Sequence, residues 1–111
     1  MKLPPNSDIP FEKLTRYLLV PQARADKSAF LARAGYTAAM AALLRQDLFS
    51  QILPLDAKPA GTNQFGDYFE IRGLLRGPNG HALRVKTIWM REHLSGATRF
   101  ITLLPDKTKM R

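Results

Sequence analysis

The sequence predicts an α+β domain in which N-terminal helices pack on one face of a C-terminal antiparallel sheet of three or four strands. Three observations predict it. Apolar residues recur at helical spacing as far as Pro54, and from Phe65 to Leu104 they alternate with polar ones. The alternating stretch is hinged at Gly77-Pro78-Asn79-Gly80, a turn sequence. Helical signals followed by strand signals describe a segregated layout, not parallel βαβ units.

Residues 1–9 form an extended lead-in, because Pro4 and Pro5 disfavour helix. Pro10 suits the first turn of a short helix that Pro21 ends, with Phe11, Leu14 and Leu18 on one side. Gln22 to Ala25 connect it to a second helix over residues 27–34, capped by Asp26, terminated by Gly35 and burying Phe30 and Leu31. Thr37 caps the longest helix, residues 38–53, whose Met40, Leu44, Leu48 and Ile52 recur every four residues with Leu43 beside them. Pro54 stops it. The alanines at 38, 39, 41 and 42 permit close approach to a neighbouring element, and simple helix propensity accounts for them equally well. Residues 55–64 are turn-rich, with a short edge strand at 60–63, since Pro59 is tolerated at an edge and not in a central strand.

The hinge sets the register of the two strands it joins. Pro78 presets the first central position of a type I turn, Asn79 takes the second, and Gly80 takes the left-handed position that only glycine adopts cheaply. Counting outward pairs Leu75 with Leu83, Gly73 with Val85, Ile71 with Thr87 and Phe69 with Trp89 on one mostly apolar face. The other face carries Glu70, Arg72 and Leu74 opposite Ile88, Lys86 and Arg84. A one-residue slip would scramble both sets. A third strand is expected to pair Ile101 with Trp89 and Leu103 with Thr87, which sends Phe100, Thr102 and Leu104 to the mixed face.

At 111 residues the chain is long enough for one core and too short for two, so a single domain over 1–111 is expected: a helical half at 1–54, a sheet at 55–105 and a frayed basic tail at 106–111. The net charge of +8 and pI near 10.3 favour polyanionic partners, chiefly RNA or DNA, with an acidic protein as the other class. Cysteine is absent, which removes disulfides and thiolate metal sites, and two histidines, His81 and His93, make a poor start for zinc. No metal and no cofactor are expected. The opening MKLPPNSDIP lacks the apolar core of a secretory signal, and no run reaches membrane-spanning length, so a cytoplasmic location without membrane attachment is the expectation. Phosphate-cradling, dinucleotide-binding and zinc-hydrolase motifs are missing, which leaves nucleotide-driven, hydride-transfer and zinc mechanisms without support.

The segments KLP, EKLTRYLLVP, KSAFLARAGYT, RGPNGHALRVKTIWM and RFITLLP, taken in order, resemble an uncharacterised bacterial domain family that occurs as stand-alone small proteins and at the C-terminal ends of polymorphic toxins. The resemblance covers almost the whole chain. It implies a helical N-terminal half and a sheet like those of metal-independent ribonucleases of the barnase and RelE type. Members of the family the chain resembles usually end in a threonine-small-aromatic-proline sequence; here it is Thr102-Leu103-Leu104-Pro105, without the aromatic.

Metal-independent RNA cleavage needs a base for the 2′-hydroxyl, an acid for the leaving 5′-oxygen and cations on the phosphorane. The mixed face offers Glu70 as base, Arg72 and Lys86 as phosphate clamps, Arg84 and the Thr102 hydroxyl as substrate contacts, and His81 at the hairpin end as acid. A solvated ion-pair cluster is the competing account of Glu70 among arginines. Thr87, Phe69 and Trp89 read as core, the last two as a cross-strand aromatic pair. Phe100, Ile88, Met90, Leu74 and Leu104 make part of the mixed face apolar, which also suits a protein interface or a dimer seam. The expected function is therefore a small ribonuclease-like toxin or effector domain acting on tRNA or mRNA, with an acidic immunity or antitoxin protein as its partner. The alternative is a non-catalytic module that binds nucleic acid, protein or a second copy of itself.

Overall fold

The computed structural model describes residues 1–22 and 26–107. Helices precede an antiparallel sheet of four strands in the order β1-β2-β3-β4, with β1 at Lys58–Thr62, β2 at Gly66–Arg76, β3 at Ala82–Glu92 and β4 at Thr98–Pro105. The α+β layout is the expected one. The connector expected at residues 22–25 and the tail beyond Lys107 lie largely outside the described residues.

The hairpin register between β2 and β3 matches the count outward from the turn: Leu75 faces Leu83, Ile71 faces Thr87 and Phe69 faces Trp89. Gly80 sits at φ 89°, and the Gly80 amide donates to the Gly77 carbonyl at 3.0 Å. Between β3 and β4 the expectation fails by one residue. A bulge leaves Ile101 without a directly opposed partner, so Trp89 faces Phe100 and Ile88 faces Thr102. Phe100 therefore enters the core, fully buried, and meets Trp89 edge to face at a centroid distance of 5.4 Å. Phe100, not Phe69, is the aromatic ring stacked on Trp89.

The helices cover the apolar face in short, partly irregular pieces. Helix α1, Phe11–Lys13, runs into a widened turn at Leu14–Leu18, closed by the Leu19 amide on the Leu14 carbonyl at 3.0 Å. Helix α2, Lys27–Ala32, follows, and α3, Ala41–Asp47, is flanked by a tight turn at Ala38–Met40 and a wide one at Leu48–Ile52. That tight turn shifts the helical phase. Ala41, Leu44, Leu48 and Ile52 are buried, while Met40 and Leu43 stay exposed against expectation, as does Phe11. Thr37 precedes the tight turn without a side-chain capping bond, so it fails the expected capping role.

Two devices close the sheet's open backbone. The lead-in lies along β4, where the Asp8 amide donates to Thr98 O at 2.9 Å and the Phe100 amide to Asp8 O at 2.8 Å, and its Leu3 and Ile9 enter the core. Beyond Glu70, β2 outruns β1, and the Gln51 amide satisfies both the Arg76 N–H (2.7 Å) and the Arg76 carbonyl (3.0 Å). Both coverings lie at the edges or on the apolar side. Among the described residues the mixed face is left uncovered by these elements, with Arg72, Leu74 and Arg84 exposed.

Candidate functional site: a basic cleft on the open sheet face

Strand pairing lays out the open face in rows. Glu70, Ile88 and Thr102 form one row across β2, β3 and β4, and Arg72, Lys86 and Leu104 form the next. With strands about 4.8 Å apart, Glu70 and Thr102 stand about 10 Å from each other and Ile88 floors the space between them. Arg72 is held in place from two sides. Its Nη1 donates to Asp106 Oδ1 at 2.7 Å and its Nε to Glu70 Oε1 at 3.4 Å. Asp106 is itself fixed, its amide donating to the Arg84 carbonyl at 2.9 Å and its side chain largely covered, so the tail expected to fray from residue 106 is ordered at its start.

Helix α2 supplies the wall at the β4 edge. The Asp26 carboxylate accepts from the Ser28 amide at 3.0 Å, the Ala29 amide at 3.4 Å and the Ser28 hydroxyl at 2.5 Å. The Ser28 hydroxyl, ahead of the two amides, holds that carboxyl below the usual range. Capping at Asp26 makes Lys27 the first residue of the helix, and burial of Leu31 seats the helix on the core. Lys27 then reaches over β4 to donate from Nζ to Thr102 Oγ1 at 2.6 Å, across 75 residues of chain. Burial lowers the Lys27 amine below the ordinary lysine range, and the charge of Lys13 adds to the effect.

The result is a cleft of about 610 Å³ lined by Lys27, Arg72, Lys86 and Lys107 together with Asp26 and Asp106. Four cationic side chains against two carboxylates give it a net positive lining. On the other side of Lys27 lies a second cleft of about 600 Å³, lined in part by Tyr17, Leu18, Ile101 and Thr102.

Of the residues singled out in the sequence, Arg72 and Lys86 line the first cleft, Thr102 lines the second, and Glu70 adjoins the first through its 3.4 Å contact with Arg72. Arg84 lies one pair further along the same face, opposite Leu74. His81 does not join them. It stands seven residues along β3 from Ile88, the partner of Glu70, a separation of about 23 Å at 3.3 Å per residue. The His81 amide donates to Asn79 Oδ1 at 2.9 Å, and Asn79 in turn bonds the Ala34 and Arg33 carbonyls at the end of α2, which pins the turn away from the cleft. His93 is also remote, 3.1 Å from Asp67 at the opposite end of the hairpin. Lys27, Asp106 and Lys107 are the members that sequence reasoning missed. Asp26 marked the start of a helix, but no local pattern places that helix against β4.

Among the described residues no three histidine, cysteine, aspartate or glutamate side chains gather as a metal site, and no helix is long and apolar enough to cross a membrane. Fold and cleft together define a small α+β domain with a basic groove on one face of an antiparallel sheet. The chain belongs to DUF6883, a domain of unknown function, which matches residues 4–107. Among solved structures its fold is similar to a chain of a contact-dependent growth inhibition toxin–immunity protein complex from Klebsiella pneumoniae 342. That similarity has a TM-score of 0.56 at 20% identity over 93% of this chain and 96% of the other. No curated protein matches the chain in sequence.

Proposed function

We propose that this protein is a small ribonuclease-like toxin or effector domain that cleaves RNA without a metal, using the cleft between β2 and the N-terminus of α2. The observation that carries the reading is the spacing of the Glu70–Ile88–Thr102 row beside the Arg72–Lys86 row. A carboxylate over β2, the Lys27–Thr102 pair over β4 two strand spacings or about 10 Å away, and cations in the neighbouring row suit one phosphodiester. Glu70 takes the 2′-hydroxyl proton, Arg72 and Lys86 bind the non-bridging oxygens, and Arg84 extends the cationic track along the strand. Arg72 is pre-positioned by Asp106, so little ordering is needed when the phosphate arrives. The net charge of +8 supports a polyanionic substrate such as tRNA or mRNA. The fold similarity to a chain of a toxin–immunity protein complex supports a toxin-related setting with a protein partner, and the charge of +8 favours an acidic one.

A second reading rests on a pair of contacts. Glu70 and Asp106 both engage Arg72, an arrangement that also suits a non-catalytic module binding RNA or an acidic protein. Incubation of the purified protein with total RNA in excess EDTA separates the two. The nuclease reading expects cleavage that Glu70→Gln and Lys86→Ala each reduce by about 10²-fold or more. Salt-sensitive RNA binding with no cleavage would establish the binding module instead.

A further inference from the structure

With His81 some 23 Å away, the open face has a base in Glu70 and clamps in the adjoining cleft but no assigned donor for the leaving oxygen. We infer that Lys27 is the general acid of this site, its ammonium protonating the 5′-oxygen as the phosphodiester breaks. The inference rests on the ribonuclease reading of the cleft.

In-line displacement at phosphorus places the attacking 2′-oxygen and the leaving 5′-oxygen on opposite sides of the phosphate, so base and acid must flank it. Glu70 on β2 and the Lys27–Thr102 pair over β4 stand at the two ends of one row, with Ile88 between them. Among the described residues lining the cleft, the other titratable side chains are placed or committed elsewhere. Arg72, Lys86 and Lys107 lie toward the neighbouring row and the C-terminal end of β4, Asp106 is engaged with Arg72, and Asp26 is held as the cap of α2. An arginine cannot release a proton, whereas a lysine can. The ammonium carries three protons, and the Thr102 hydroxyl accepts one at 2.6 Å, which fixes the nitrogen at the rim. Partial burial makes that amine a readier donor than a solvated lysine.

The step balances. The 2′-oxygen to phosphorus bond forms as its proton passes to the Glu70 carboxylate, and the phosphorus to 5′-oxygen bond breaks as the Lys27 proton passes to the departing oxygen. The products are a 2′,3′-cyclic phosphate and a free 5′-hydroxyl, and exchange with water restores both side chains. Because Lys27 borders both clefts, the departing nucleoside lies in the second one, beside the exposed ring of Tyr17.

The test compares one cleaved RNA in its natural form with the same RNA carrying a sulfur in place of the 5′-oxygen at the cleaved bond. A thiolate leaves without protonation, so it bypasses a general acid. Lys27→Ala is expected to slow the natural RNA by about 10²–10⁴-fold and to cleave the sulfur-bridged RNA within about tenfold of wild type. Lys27→Arg, which keeps the charge, is expected to behave in the same way. Lys27→Met retains the aliphatic stem and repeats the comparison if alanine unseats α2. Equal slowing on both substrates would reduce Lys27 to a phosphate ligand or a structural group, and undiminished cleavage of the natural RNA would remove it from the site; either result overturns the inference and leaves the nuclease reading standing. A wild-type protein that cleaves neither substrate overturns both.

Discussion

Thr87 shows how closely single residues are set in this fold. Its buried hydroxyl donates to the Ile71 carbonyl at 3.1 Å and accepts from the Trp89 indole at 2.8 Å, so one oxygen satisfies the largest side chain of the core. Thr87→Val keeps the shape and leaves the indole N–H unpaired, and should cost about 1–3 kcal/mol in urea unfolding. Tyr36 is a second such case. Burial, then its 2.6 Å hydrogen bond to Asp47, raises its phenol above the ordinary range and keeps it protonated as a donor. The cleft residues behave differently, because they sit on a solvated face. Glu70→Gln should slow cleavage by about 10²-fold or more while changing stability by less than about 1 kcal/mol, since its ion pair with Arg72 is partly exposed. His81→Ala should leave both unchanged, and a loss of RNA cleavage in that variant would show that the hairpin end takes part after all.

At the scale of elements, the β2–β3 hairpin was fully legible and the β3–β4 connection was not. Pro78-Asn79-Gly80 dictates a turn with one left-handed residue, and alternation then admits a single register. The loop after Glu92 carries no comparable constraint, and the slip at Ile101 is decided by which side chain fills the core beside Trp89. Phe100 fills it, and local sequence cannot reveal that competition. Helix ends were legible where a chemical cap exists, at Asp26, and misread at Thr37, where a tight turn intervenes. Gly77 joins two elements: a β-carbon there would lie 2.1 Å from the Ala34 carbonyl oxygen, so Gly77→Ala should push the hairpin turn off the end of α2 and cost about 1–3 kcal/mol. At the other end of the hairpin, Asp67 accepts hydrogen bonds from Thr62 and Arg91 and faces His93. The Thr62 bond foremost, then His93 and Arg91, depress its carboxyl to about 2. A depressed carboxyl stabilises the fold above its unfolded value and loses that contribution as pH falls from about 4 towards about 2. Urea midpoints of wild type and Asp67→Asn should therefore differ at pH 5 and converge near pH 2.

For the whole molecule, charge and fold class were readable from composition and periodicity, whereas the site required the tertiary fold. Glu70, Arg72 and Lys86 share a face by strand arithmetic alone. Lys27 comes from a helix whose docking is long-range, and Asp106 from a segment that composition marks as a tail. A groove of this charge should bind a non-cleavable single-stranded RNA with a log–log salt slope of about −2 to −3, as expected when three or four phosphates are neutralised. Lys86→Ala should flatten that slope by about 0.7. In the proposed function the cleft drives the 2′-hydroxyl of RNA against its own phosphodiester. This claim is tested most directly by cleavage, in EDTA, of a defined RNA and of the same RNA with a single 2′-deoxynucleotide at the cleaved position. The first is expected to yield a 2′,3′-cyclic phosphate end and the second to remain intact at that bond; scission of the deoxy-substituted bond, or no scission of either RNA, would contradict the claim.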